Sequence, residues 1–247
     1  MIDLHCHMLP GVDDGAASPE EALLMARLAV ESGVTAAALT PHCSVPGQFD
    51  NYYDRRLDER FRRFETLLRQ ADIPLTVYRG MEVFATPELP RLLDDGALLT
   101  LGGGRCLLVE FAFGESPRFA DDILRQIRRR GLIPVVAHPE RYYFIQDDPR
   151  HLPRWISDGY VLQLNKGSFF GMFGRHAART AHWCLDRGCL HLIGSDAHSP
   201  YRRTPRLDDI YELVADAASP ETAELLLRDN PAAILNGGAV CPAMAKI

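Results

Sequence analysis

His5 and His7 stand one residue apart in the opening run MIDLHCHMLPGVDDG, with the acidic pair Asp13 and Asp14 close behind. If Ile2 to His7 is a strand, alternation puts both imidazoles on one face while Leu4 and Cys6 point into the protein. Two neutral imidazoles beside a carboxylate suit Zn, Mn, Fe and similar ions. A His-x-His pair alone also describes ordinary hydrogen-bonded histidines, so the weight falls on how the other apolar runs end. TAAALT (35–40) leads to His42, LTVYRGME (75–82) ends in Glu82, and CLLVEF (106–111) carries Glu110. LIPVVAH (132–138) ends in His138, and LHLIGSD (190–196) ends in Asp196 with His198 two residues on. Of the seven runs only VLQLN (161–165) lacks such a residue, and Asp196-x-His198 repeats the spacing of the first pair.

Counting Asp14, this inventory of five imidazoles and four carboxylates is too large for one ion. Two or three divalent ions sharing a bridging carboxylate would use it, and clustered ions activate water as a nucleophile at neutral pH. Mixed nitrogen and oxygen ligands without thiolate point to Mn, Fe or Zn. Arg141 follows His138 in HPER, and Arg202, Arg203 and Arg206 follow His198. An arginine fork grips a phosphate bidentately, which makes phosphate-ester hydrolysis the leading reaction. Arg202 and Arg206 read as surface charge, Arg141 as functional.

The positioning elements alternate in type. Ser18-Pro19-Glu20-Glu21 supplies an N-cap, a proline at the first helical position and an early carboxylate, and Gly33 closes that helix. Over 52–70, Leu57, Phe61, Phe64 and Leu68 form an apolar helical face, with the charges between them read as solvated. Further helices are expected near 88–94, 117–130, 150–158, 173–187, 207–215 and 219–228, then a loose tail. Seven buried strands alternating with helices imply an α/β fold with a parallel sheet, a closed or nearly closed barrel, in one domain over 1–247. Function in such barrels gathers at the carboxyl ends of the strands.

Hydrophobic content of 47% with 24% charged residues is ordinary for a globular protein. No apolar run is long enough to span a bilayer, so no membrane insertion is expected. Asp3 and His5 inside the first apolar stretch do not suit a signal peptide, so the expected compartment is the cytoplasm. A net charge of −6 argues against a general nucleic-acid partner. The six cysteines include no C-x-x-C and no C-x5-R, and read as small buried residues rather than disulfides or nucleophiles.

IDLHCHxLPGVDDG, TPH (40–42), GMEV (80–83), VEF (109–111), AHPER (137–141), QLN (163–165), SDAH (195–198) and DNP (229–231) occur in order along nearly the whole chain. Together they resemble the polymerase and histidinol phosphatase (PHP) superfamily, and within it the bacterial manganese-dependent protein tyrosine phosphatases of capsule and exopolysaccharide gene clusters. The resemblance implies a distorted seven-stranded (β/α)7 TIM-like barrel with three metals. His5, His7, Glu82 and Asp196 would hold the first ion, Glu82 would bridge to a second held with Glu110 and His138, and Asp14, His42 and His198 would hold the third. Arg141 matches the family's substrate-phosphate arginine, and Arg203 a second one. Metal-bound hydroxide would attack phosphorus in line, with the metals and Arg141 offsetting the developing charge. The expected partner is a phosphotyrosine protein, a bacterial tyrosine kinase. Phe111, Phe113, Tyr142 or Tyr143 are candidates to flank the tyrosyl ring, and core packing explains each as well.

One departure from the family is Cys43-Ser44-Val45-Pro46, where many relatives follow the histidine with another histidine or a basic residue; the lip of the pocket is therefore expected to differ. Asp13 stands as an alternative ligand to Asp14. The rival readings are a histidinol-phosphatase-like or other small-molecule phosphoesterase, a phosphodiesterase or nuclease, and a non-catalytic metal-binding module that docks a kinase. Acidic charge and the lack of a basic, aromatic-interleaved groove argue against the nuclease, and the full ligand set argues against the inactive module. A homo-oligomer is left open.

Overall fold

Parallel strands make every sheet pairing in the computed structural model, which describes residues 1–243. The strands are β1 (Ile2–Cys6), β2 (Ala36–Leu39), β3 (His42–Cys43), β4 (Thr76–Arg79), β5 (Glu82–Phe84), β6 (Cys106–Glu110), β7 (Ile133–Ala137), β8 (Val161–Asn165) and β9 (Leu192–Gly194). They pair as β1-β2-β4 and as β3-β5-β6-β7-β8-β9. The seven expected strands thus appear as nine segments in two sheets, because the second and third passes are each divided. The ladder lapses between Leu39↔Arg79 and His42↔Glu82, where Pro41 has no N–H to donate. Gly80 N still donates to Leu39 O (3.0 Å) and Glu82 N to Pro41 O (3.2 Å) across the gap. Past β9, Asp196 N donates to His5 O (2.8 Å) and His7 N to Ala197 O (2.9 Å), which ties the end of the last pass to the first.

The helices are α1 (Pro19–Glu31), α2 (Arg55–Gln70), α3 (Leu89–Asp94), α4 (Pro117–Arg129), α5 (Tyr143–Asp147), α6 (His151–Ser157), α7 (Lys166–Phe169), α8 (Arg175–Arg187), α9 (Asp208–Ala217), α10 (Pro220–Glu224) and α11 (Asn230–Leu235). Caps fix their starts: Ser18 accepts from Glu21 N, and Asp54 from Leu57 N, so α2 begins three residues later than its apolar periodicity suggests. The larger core cluster packs one sheet face, through Leu107, Val109, Val136 and Leu162, against the helices. The smaller one fills the other face with Leu4, Ala38, Leu108, Val135, Val161 and Leu192. Both faces are therefore buried, which is why the strands read as continuous apolar runs.

β1 departs from strict alternation. Its register with β2 shifts between Asp3 and Cys6, so Leu4 joins the smaller cluster and Cys6 the larger, although both are buried as expected. The tail expected to be loose is instead tied down over most of its length: Asn230 Nδ2 donates to His191 O and Cys241 O (2.6 Å each), and Ala243 N donates to Leu190 O (2.9 Å). The remainder of that tail, 244–247, lies outside the described residues. No helix among the described residues is long and apolar enough to cross a membrane.

Candidate metal centre

The Nε2 atoms of His5 and His7 lie 3.3 Å apart. His5 Nδ1 faces Gln163 Oε1 at 2.7 Å and His7 Nδ1 faces Asp13 Oδ2 at 2.8 Å. Both oxygens only accept, so each ring donates outward from Nδ1 and a neutral ring presents its Nε2 lone pair inward. Two lone pairs then face one another across the space occupied by Glu82 Oε2, 3.1 Å from His5 and 3.2 Å from His7, and by Asp196 Oδ1, 3.5 Å from each. Without a positive charge that arrangement is repulsive. The donor set and its outer hydrogen bonds fit a divalent ion.

Three groups of side chains have ligand atoms within 4.8 Å of one another: His5, His7, Glu82 and Asp196; His42, Glu82 and Glu110; and His7, Asp14, His42 and His198. His7, His42 and Glu82 each belong to two of them, with His42 Nδ1 at 3.1 Å from Glu82 Oε2 and 3.2 Å from Glu110 Oε1. His138 Nε2 joins the middle of the site, 2.8 Å from Glu82 Oε1 and 3.8 Å from Glu110 Oε2. Asp14 Oδ1 faces His198 Nε2 at 3.4 Å and His42 Nε2 at 3.5 Å. All nine expected residues therefore converge on one end of the sheet. His42 and Glu82 were expected at strand ends and instead open the second segments of their divided passes, β3 and β5.

The charge balance shows what the site attracts. Burial disfavours a charged His5, yet the Glu82 and Asp196 carboxylates outweigh it and hold its pKa at about 9. Burial likewise opposes charge on His42, and Glu82 and Glu110 raise it to about 10. A hydrogen bond from His198 pulls Asp14 down to about 2. Burial works against an ionised Glu82, but His5 and His42 hold its carboxyl well below the usual range. The carboxylates thus attract positive charge, which protons supply in the metal-free protein and divalent ions would supply in their place.

Asp13 and Asp14 separate cleanly. The Asp13 carboxylate accepts from His7 Nδ1, from His42 N (2.9 Å) and from Gly15 N (3.0 Å), so it orients two histidines rather than facing the ligand groups. Gly15 is required by close approach: a Cβ there would lie 2.1 Å from His7 O. Asn51 donates to Val12 O (2.8 Å) and His42 O (2.9 Å), joining the loop that carries Asp14 to the start of β3. His138 (φ 35°) and Asp196 (φ 49°) hold left-handed backbone, rare for non-glycine residues and a mark of functional positions.

Arg141 and Arg203 reach the rim through Asp196 Oδ2, Arg141 at 3.5 Å and Arg203 in closer contact. Phe113 and Phe173 lie 4.4 and 4.1 Å from the Arg141 guanidinium carbon, and Phe173 lies 5.5 Å from that of Arg203. A hollow of about 280 Å³ opens there, lined by Phe113, Arg141, Tyr143, Gln146 and Phe173 among others. Phe113 and Tyr143 are exposed, whereas Phe111 and Tyr142 are core residues, Tyr142 Oη donating to Ala137 O at 2.7 Å and accepting from Phe111 N at 3.1 Å. Cys43 is buried in the core, so its side chain does not form the lip of the site, and burial pushes its thiol up to about 12. Sequence reading missed Phe173, Asn51 and the orienting roles of Asp13 and Gln163. Gln163 sits in the QLN run, the one strand ending without an expected ligand.

An α/β sheet protein with clustered imidazoles and carboxylates at the carboxyl side of its strands, and arginines at the rim, is of the metallohydrolase class. The model of the family described as "Capsular polysaccharide synthesis, CpsB/CapC" matches residues 1–236. The chain belongs to the CpsB/CapC family. Tyrosine-protein phosphatase YwqE of Bacillus subtilis (strain 168) is 34% identical over 236 residues, spanning 93% of this chain and 92% of that protein. Tyrosine-protein phosphatase CpsB of Streptococcus pneumoniae is 28% identical over 240 residues, spanning 95% and 98%. A solved chain from the crystal structures of YwqE and CpsB, described as unique metal-dependent tyrosine phosphatases, is similar at a TM-score of 0.88, 30% identity and full coverage of both chains. The lactonase Lmo2620 from Listeria monocytogenes shares the fold alone, at a TM-score of 0.54 and 13% identity over 95% of this chain and 94% of that one.

Proposed function

We propose that this protein is a metal-dependent protein tyrosine phosphatase serving capsule or exopolysaccharide synthesis, its substrate a phosphotyrosine protein, a bacterial tyrosine kinase, in the cytoplasm. The observation that carries the reading is the set of three overlapping ligand groups with two arginines at their rim. The two sheets are read as one distorted seven-pass (β/α)7 TIM-like barrel, and residues 1–247 as one domain. His5, His7, Glu82 and Asp196 would hold one ion; Glu82, Glu110 and His138, with His42 alongside, a second; and Asp14, His42 and His198 a third. Manganese is the ion we favour, with Fe or Zn as the alternatives that the same donors suit.

When bound, such ions supply Lewis acidity toward phosphoryl oxygens and lower the pKa of water. The chain's own residues do the rest. Arg141 and Arg203 grip the non-bridging phosphoryl oxygens, and Phe113 and Phe173 hold the Arg141 plane so that its donors point inward. Phe113, Tyr143 and Phe173 offer apolar surface to the tyrosyl ring. Asp13 and Gln163 keep His7 and His5 in the tautomer that leaves Nε2 free for an ion. A tyrosyl oxygen, with a pKa of about 10, leaves without strong acid assistance. The test compares phosphate release from a phosphotyrosine peptide, histidinol phosphate and a phosphodiester by the manganese-loaded protein. Preferential release from the peptide is expected; release only from one of the other two would transfer the site to a different substrate class.

A further inference from the structure

A groove of about 660 Å³ runs between α2 and the loop joining β1 to α1, the loop that also carries Asp14. Its loop wall is Pro10, Gly11, Ala17 and Pro19, and its helix wall carries Arg56, Arg60 and Arg63 over Phe64 and Leu67. The three arginines fall at i, i+4 and i+7, on one side of the helix, and all are exposed. The helix's acids are already engaged. Glu59, the one carboxylate in the groove, pairs with Arg55 at 3.1 Å, Asp58 with Arg62 at 2.8 Å and with Arg79, and Glu65 faces Arg79 at 3.9 Å. Arg60 donates to Gly11 O at 3.3 Å, which fixes it against the loop, while Arg56 and Arg63 have no carboxylate partner among the described residues. A chain of net charge −6 thus keeps three arginines without a direct carboxylate partner along one groove, although Arg56 and Arg60 also border an adjoining hollow with Asp50 and Asp54.

We infer that this groove binds an acidic stretch of the phosphoprotein substrate, outside the phosphotyrosine itself, and so sets which tyrosine is served. The inference rests on the phosphatase reading above and adds a peptide subsite to it. Gly11 and Asp14 are three residues apart, at most about 11 Å of chain, so an extended peptide with its phosphate at the metal centre reaches the groove within a few residues. Arginine forks suit carboxylates, and a local positive strip steers an acidic segment toward a protein that otherwise repels it.

The test measures kcat/KM at low salt for a phosphotyrosine peptide with a run of glutamates on one flank, for the same peptide with glutamines, and for p-nitrophenyl phosphate. The natural protein is expected to favour the glutamate peptide by about tenfold, chiefly through KM, and to lose that preference in high salt. The double substitution Arg56→Ser with Arg63→Ser, which breaks no hydrogen bond, should abolish the preference and leave p-nitrophenyl phosphate within about twofold. Equal rates on the two peptides in the natural protein, or an undiminished preference in the double variant, would overturn the groove assignment while leaving the phosphatase reading intact. Failure to hydrolyse any of the three substrates would remove the phosphatase reading itself.

Discussion

Replacing Asp13 with Asn changes one atom's chemistry in the shell around the site. Asp13 accepts three hydrogen bonds, from His7 Nδ1 at 2.8 Å, His42 N at 2.9 Å and Gly15 N at 3.0 Å, using both oxygens. Asparagine has a single acceptor oxygen. If that oxygen stays with His7 and His42, the amide turns its own donors toward Gly15 N, leaving one half-buried donor unpaired at a cost of about 1–3 kcal/mol. For a chain of this size that lowers the melting temperature by about 2–12 °C. Loss of the carboxylate behind His7 weakens metal binding by about 10–100-fold, without removing an ion. Asp14→Asn should behave in the opposite way. Its carboxyl is 57% exposed and, among the described residues, pairs only with His42 and His198, so metal-free stability should barely move while one ion is lost from the count. Calorimetric melting of the metal-free variants, with manganese stoichiometry from titration, separates the two. An Asp13→Asn protein that melts normally but binds one ion fewer would show that Asp13, not Asp14, is the ligand.

Three further outcomes follow from the same geometry. In the metal-free protein His5 titrates at about 9 and His42 at about 10, against an ordinary 6.5, so the folded state binds more protons than the unfolded one across that window. The stability these groups contribute is complete below about pH 6.5 and is lost as pH rises through their folded values, whereas metal affinity rises with pH as the competing protons leave; urea unfolding of metal-free protein that is flat from pH 6.5 to 10 would contradict this. Gly194→Ala places a Cβ 2.9 Å from both His5 Cβ and Gln163 Nε2, and should lower the metal-loaded melting temperature and the affinity for metal together; an unchanged affinity by titration would argue against the rigidity of that corner. Phe173→Ala frees one face of Arg141 and should lower kcat/KM for an aryl phosphate by about 3–10-fold, the worth of about one cation–π contact, with metal content unchanged; an unaltered rate would remove Phe173 from the site.

The converging side chains were legible in the sequence because the signal is local: each apolar pass announces itself, and the polar residue at its end is read directly. His5 with His7, and Asp196 with His198, needed only the period of a strand. What spacing could not give is sharing. His42 turns one nitrogen to Glu82 and Glu110 and the other to Asp14, and that depends on the turn of a chain broken at Pro41. Asp13 and Asp14 are adjacent and chemically identical, and only the loop's folding back onto His7 O separates an orienting acid from a candidate ligand. Phe173 stayed hidden because it reads as the first residue of the helix expected over 173–187, whereas α8 begins at Arg175 and leaves it in the short connection after α7. Divided passes were equally invisible, since both faces of the sheet are apolar and the runs read as continuous.

The most direct test of the central claim is phosphate release from a phosphotyrosine peptide by protein stripped of metal and titrated with manganese, alongside Arg141→Ala. Release should be absent without metal, rise with added manganese as the ligand groups fill, and fall by about 100-fold or more in the loaded Arg141→Ala protein. Metal-independent release, or a fully loaded protein that leaves the peptide intact, would contradict the assignment of this site to phosphotyrosine hydrolysis.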